Sequence, residues 1–364
     1  MKVFLRIYLF LLVFVLATSI GRGFLSLWYT KNHFSYAQIA LYFLIDFAIP
    51  PIILIFIKKF STTKSFTIAL VSEILLMLNV YHFYYPFQLY LAGILAGTTV
   101  VFFYVTYNTL FFENTSREKR ALSSSIYVLA GPILGIIIPI IIGFVGQKWG
   151  LSSVFLVSIA ILLVNLYLIK ILPKFEFECH LLRSLAKTAK INCLLIIEGL
   201  KDTAGIAVIP IFTLFFIHQP LPYGVFFGYL GFVSVSATVL LGFLSDKFKK
   251  RTIILYPTTI LIASMIILLG FSKNLVWWAI ISGILGFILT IDGVFVTTLV
   301  LDKVHEVNEG MIGREFLLGT GRIIGMIIIF ISFTLTNSPK IALILIGSLY
   351  FLFPLTLFFK KIYK

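Results

Sequence analysis

Gly242-Phe243-Leu244-Ser245-Asp246-Lys247-Phe248-Lys249-Lys250-Arg251-Thr252 stands between two long apolar runs. One carboxylate and four cations crowd into this turn, and charges at that density cannot lie in hydrocarbon. The turn therefore belongs at a membrane surface. Basic loops stay on the cytoplasmic side, so this one fixes the direction of the helices that flank it.

The remainder of the chain agrees. Of its 364 residues, 60% are hydrophobic and 12% charged. A soluble domain with so few charges would present an apolar surface to water. The apolar runs are about twenty residues long, enough to cross ~30 Å of hydrocarbon at ~1.5 Å per residue. They lack the two-residue alternation of a membrane barrel, so the fold class is an all-α polytopic membrane protein. Twelve spans are expected, near 4–28, 36–57, 66–84, 87–112, 122–146, 150–172, 191–217, 223–244, 252–271, 275–301, 314–336 and 340–359. Residues 1–19 imitate a secretory signal, but the apolar run continues past Arg22 to Trp28, which favours a retained first helix.

The net charge of +15 is distributed as a topology signal rather than as a nucleic-acid groove. With a cytoplasmic N-terminus, 22 of the 29 Lys and Arg fall in cytoplasmic segments. Four, Lys31, Lys148, Lys273 and Lys340, fall outside, and Arg22, Lys201 and Arg322 lie within spans. Both termini are thus expected in the cytoplasm, with the chain a multi-pass monomer in the cell membrane. Its partners would be the lipid bilayer and a small-molecule substrate, with no nucleic acid. Cys179 and Cys193 have neither the spacing nor the histidine neighbours of a metal site, and no cofactor is expected.

The longest connection, 173–190, divides the chain into halves 1–172 and 191–364. A trace of duplication survives. Ala130-Gly131-Pro132-Ile133-Leu134-Gly135 in span 5 matches Thr320-Gly321-Arg322-Ile323-Ile324-Gly325 in span 11. Lys58-Lys59-Phe60 aligns with Asp246-Lys247-Phe248 at nearly the same offset.

Gly242, Leu244, Asp246, Lys250 and Arg251 match the G-x-L-x-D-x-x-x-[RK]-[RK] signature of the major facilitator superfamily. With the span count and the central loop, the whole layout resembles that family. The resemblance implies two pseudo-symmetric six-helix bundles (the MFS fold) and a secondary transporter working by alternating access. The departures matter. Leu54 and Lys58 replace Gly and Asp in the first-half loop. Span 5 keeps only the Gly131-Pro132-x-x-Gly135 core of the drug–proton antiporter motif, and Gly93 stands where many proton-coupled exporters carry arginine.

Arg22, Asp46, Glu73, Glu198, Lys201, Asp202, Asp292 and Arg322 lie within expected spans. A central charge costs ~2.5–3.5 kcal/mol on insertion scales, so such groups face a cavity or a partner. Five acids against three bases leave surplus carboxylates, the ingredient of proton coupling. Glu198, Lys201 and Asp202 share a helix face, so Lys201 can reach Glu198. The family resemblance brings spans 1, 4, 7 and 10 to the central cavity, which would gather Arg22, Tyr104, Tyr107, Asn108, the span 7 triplet and Asp292. Lys201 and Asp202 are the expected substrate or proton site, a packing ion pair being the other reading. Asp46, one turn before Pro50-Pro51, is expected at a gate, paired with Arg322. Alternatively Arg322 bonds carbonyls near its cytoplasmic end. Glu73 is the weakest candidate, in a scaffold span.

By the same resemblance Asp246, Lys250 and Arg251 latch the cytoplasmic side onto span 11, one-sidedly here because the first-half loop lacks its aspartate. Gly131, Gly135, Gly321 and Gly325 allow close helix approach. Neither a zincin nor a hydrolase nor a nucleotide motif is present, so no enzyme is expected. Proton-coupled efflux of a drug-like or metabolite substrate leads. A membrane sensor on the same scaffold and a proton-coupled uptake symporter stay open.

Overall fold

The computed structural model describes residues 2–115, 120–245, 252–304 and 306–360. Among them the helices group into twelve apolar segments. Span 1 is Val3–Lys31, span 2 Tyr36–Phe56, span 3 Thr62–Tyr81, span 4 Phe87–Glu113 and span 6 Leu151–Ile171. Span 5 is Arg120–Trp149, span 7 covers 192–213, span 8 is Pro220–Ser245 and span 9 is Thr252–Leu269. Span 10 is Leu275–Lys303, span 11 Val307–Thr336 and span 12 Lys340–Phe359.

Local sequence explains several boundaries. Ser35 and Gln38 form a reciprocal cap at the start of span 2, satisfying two amides that the first turn leaves free. Asn274 accepts from the Trp277 amide and starts span 10. Span 11 begins seven residues before the expected 314. Its added turn is polar, but Arg183 meets Glu309 at 2.5 Å, and Arg314 pairs with Glu315. Paired charges do not stop a helix.

Helix packing repeats at an offset of six. Span 1 lies on span 6 as span 7 does on span 12, and span 2 on span 4 as span 8 does on span 10. Span 3 likewise lies on span 6 and span 9 on span 12. Two seams join the repeats: span 5 runs along span 8, and span 2 along span 11. At the first seam a Cβ on Gly231 would enter the backbone of Gly135, so helices this close require glycine.

Two features were not expected. Residues Lys59–Ser61 (β1) and Glu176–Glu178 (β2) form an antiparallel pair, with Phe60 opposite Phe177 and their rings 5.3 Å apart. A short helix, Leu181–Lys187, then lies against the start of span 11. Both sit at the end of the bundle that carries the termini.

Candidate functional site

Spans 4 and 7 are not uniform. Val101–Val105 and Ala204–Val208 are π-helical turns. In span 7 the cause is local: Pro210 has no N–H to offer the Ile206 carbonyl four residues back, which loosens the preceding turn. Ile206, Pro210 and Tyr104 all border a cavity of about 530 Å³ between the two repeats.

Arg22 and Asp46 are the charged residues of that cavity's wall among those described. Glu73 lies behind Arg22, fully buried. Arg22 Nε donates to Glu73 Oε1 at 2.8 Å, a second guanidinium nitrogen pairs with the other carboxylate oxygen, and Ala96 accepts at 3.2 Å. Asp46 Oδ2 stands 3.9 Å from Arg22, too far for a hydrogen bond, while its buried Oδ1 has no hydrogen-bond partner among the described residues. Span 2 holds Asp46 by close backbone approach. Pro50 deprives the Asp46 carbonyl of its helical donor, and Gly97 of span 4 comes so near that a Cβ would strike that oxygen. Gly93, one turn earlier, faces Tyr42 and Ile45 in the same way, so the arginine of other exporters has no room here.

The second repeat carries its own network. Lys201 pairs with Glu198, donates to Asp292 Oδ2 at 3.0 Å, and stands 3.7 Å from Asp202. The Tyr350 hydroxyl is 3.1 Å from Glu198 and 3.2 Å from Asp292. Arg322 donates to Asp202 at 2.7 Å and lies over the Phe47 ring of span 2 at 5.7 Å. Glu198, Lys201 and Asp202 border a second, smaller cavity of about 250 Å³ together with Arg314 and Tyr127, and Ile206 borders both.

The structure divides what the sequence gathered. Arg22 and Tyr104 meet the larger cavity, the span 7 triplet the smaller, and Asp292 is buried beneath Lys201. Tyr107 and Asn108 are buried, with Tyr107 stacked between Phe103 and Phe111. The reach of Lys201 to Glu198 is as expected. The expected pairing of Asp46 with Arg322 is replaced by Asp202–Arg322, because the longer span 11 sets Arg322 deep in the bundle, where span 11 packs directly on span 7. Arg322 is therefore not near a helix end. Glu73 is the partner of Arg22, a pairing of which one charged residue per span gives no sign.

Gly131 has nothing within 4 Å of a would-be Cβ and borders the larger cavity, whereas Gly321 and Gly325 do sit in tight contact with span 7. Gly242 falls inside span 8. The side chain of Pro132, and Asp246, Lys250 and Arg251, lie outside the described residues.

A model of the Major Facilitator Superfamily matches residues 7–326. The chain belongs to the major facilitator superfamily. Its fold is shared with a human organic anion transporter, MFSD10 (TETRAN), at TM-score 0.70 and 12% identity over 98% of this chain and 99% of that one. A bacterial metal transporter matches at TM-score 0.65 and 12% identity, over 99% of each chain. At such identity these two neighbours establish the fold alone. No curated protein sequence gives a match. As a major facilitator protein the chain is a multi-span membrane protein of a transporter family.

Proposed function

We propose that this chain is a secondary carrier that works by alternating access and couples transport to protons, with efflux of a drug-like or metabolite substrate the favoured direction. In this reading the two halves, 1–172 and 191–364, rock about the 173–190 connection, with spans 2, 5, 8 and 11 as the moving seams. Both termini lie in the cytoplasm and the monomer resides in the cell membrane.

One observation carries the coupling claim. Asp46 borders the cavity between the repeats, is buried, and lacks a hydrogen-bonded counter-ion. A carboxylate there is costly when ionised and cheap when protonated, so its proton can exchange with whatever else compensates the charge. Asp202 and Glu198 are the second choice, since each already has a cation at hydrogen-bond distance. Arg322 over Phe47 spans the seam of spans 2 and 11, which supports a gating role for that pair rather than substrate contact.

The test is flux in proteoliposomes against a compound panel, with and without a pH gradient. Flux that speeds up with an opposing proton gradient supports the reading. Flux indifferent to the gradient removes the coupling, and no flux for any compound favours a sensor.

A further inference from the structure

We infer that the larger cavity selects a monovalent organic cation carrying a flat aromatic body. The proposal rests on the carrier reading for the cavity's role as the substrate site, and goes beyond it in naming the chemistry. Three charged groups bear on the cavity: Arg22, Glu73 and Asp46. Glu73 engages the Arg22 guanidinium through both carboxylate oxygens, so these two cancel. Asp46 is left with one ion pair at 3.9 Å and a buried Oδ1 without a partner. Arg322, on the neighbouring span 11, is committed to Asp202. Among the described residues the site therefore holds one negative charge in excess, and an anionic ligand would find no free cation there.

The rest of the wall fits the same ligand. Phe14, Tyr42, Phe43, Tyr104 and Phe227 border the space, and ring faces attract cations while stacking on flat aromatics. A volume of about 530 Å³ admits a drug-sized molecule. A compact, strongly hydrated metal ion would want several anionic oxygen ligands, and here one carboxylate stands among rings and neutral hydroxyls.

The test compares two dyes of one ring system and opposite charge, rhodamine 6G and fluorescein, with ethidium as a second cation. Binding is read by fluorescence anisotropy on the full chain purified in detergent. Rhodamine 6G and ethidium are expected to bind and fluorescein is not. Asp46→Asn should weaken cation binding at least tenfold and Asp46→Glu less than threefold. Acidification should weaken binding in the wild type and not in Asp46→Asn. If Asp46→Asn does not fold, the wild-type charge preference and a several-fold loss in Tyr104→Leu decide instead. Tighter fluorescein binding, failure of both cations, or full affinity in a folded Asp46→Asn would each overturn the assignment. Proton-driven flux of an anion would sink the cation class and leave the carrier standing. Cation binding without proton-driven flux would uphold the class and sink the coupling.

Discussion

Lys201 and Asp292, 91 residues apart in sequence, meet at 3.0 Å inside the second repeat, and the Tyr350 hydroxyl bonds to the same carboxylate. Three carboxylates, Glu198, Asp202 and Asp292, thus surround one ammonium that is 3% exposed. Spans 7, 10 and 12 are tied at this point. Removing one member of a buried pair costs more than the pair is worth, because it strands the other charge. Lys201→Met should therefore destabilise the protein by about 3 kcal/mol or more, whereas Tyr350→Phe, losing a neutral donor, should cost about 1 kcal/mol. Thermal unfolding in detergent measures both, and equal losses would contradict this ranking.

Arg22 and Glu73 make the matching tie in the first repeat, between spans 1 and 3. Glu73→Gln should lower the unfolding midpoint, by about 2 kcal/mol in stability, since a half-buried guanidinium keeps only the Ala96 carbonyl and Asp46 at a distance. Adding Arg22→Gln should recover part of that loss, because the two amides can bond to each other and the pair leaves no guanidinium without its carboxylate, although Asp46 loses its ion pair. Additive losses in the double variant would mean the two residues do not act as a pair.

Outside the membrane, β1 and β2 join the loop after span 2 to the central connection, and Lys59 meets Glu176 at 2.5 Å. The connection in turn binds the start of span 11 through Arg183 and Lys187, which stand 3.3 and 3.5 Å from Glu306. This brace ties the first-half loop to the second half without the aspartate that loop lacks. The Lys59 hydrogen bond and charge hold the Glu176 carboxyl below its usual range. Desolvation pulls Glu306 upward, but the charges of Lys187 and Arg183, with hydrogen bonds to Glu309 and Lys187, outweigh it and its carboxyl also lies low. A folded value below the unfolded one means the stabilisation is present above the unfolded pKa, 4.5 for both, and is lost as pH falls through the folded value. Hydrogen-exchange protection in 176–187, taken against the intrinsic rate at each pH, is expected to fall on acidification below that range, and Glu176→Gln with Glu306→Gln should remove this extra pH dependence. Protection that is flat with pH in the wild type would contradict it.

The helical frame was legible because twenty-residue apolar runs and alternating basic loops leave little choice. Lys201 reaching Glu198 was legible because both sit on one helix at a three-residue spacing. Which span faces which was not. Glu73 and Arg22 are partners through the packing of spans 1, 3 and 4, and no local pattern in either span points to the other. Arg322 is set deeper than expected by the earlier start of its helix, since Glu309 reads as a loop charge until its partner Arg183 is known. The strands were faintly visible: Phe175-Glu176-Phe177-Glu178 alternates as a half-buried strand does, but three residues are too few to stand out.

Asp46 carries the central claim, and the most direct measurement compares two modes of transport by Asp46→Asn in proteoliposomes. Gradient-driven uptake of a substrate should collapse in the variant, while exchange at equal pH on both sides persists once the substrate concentration is raised to offset the weaker binding. Gradient-driven uptake at the wild-type rate in Asp46→Asn would contradict the account.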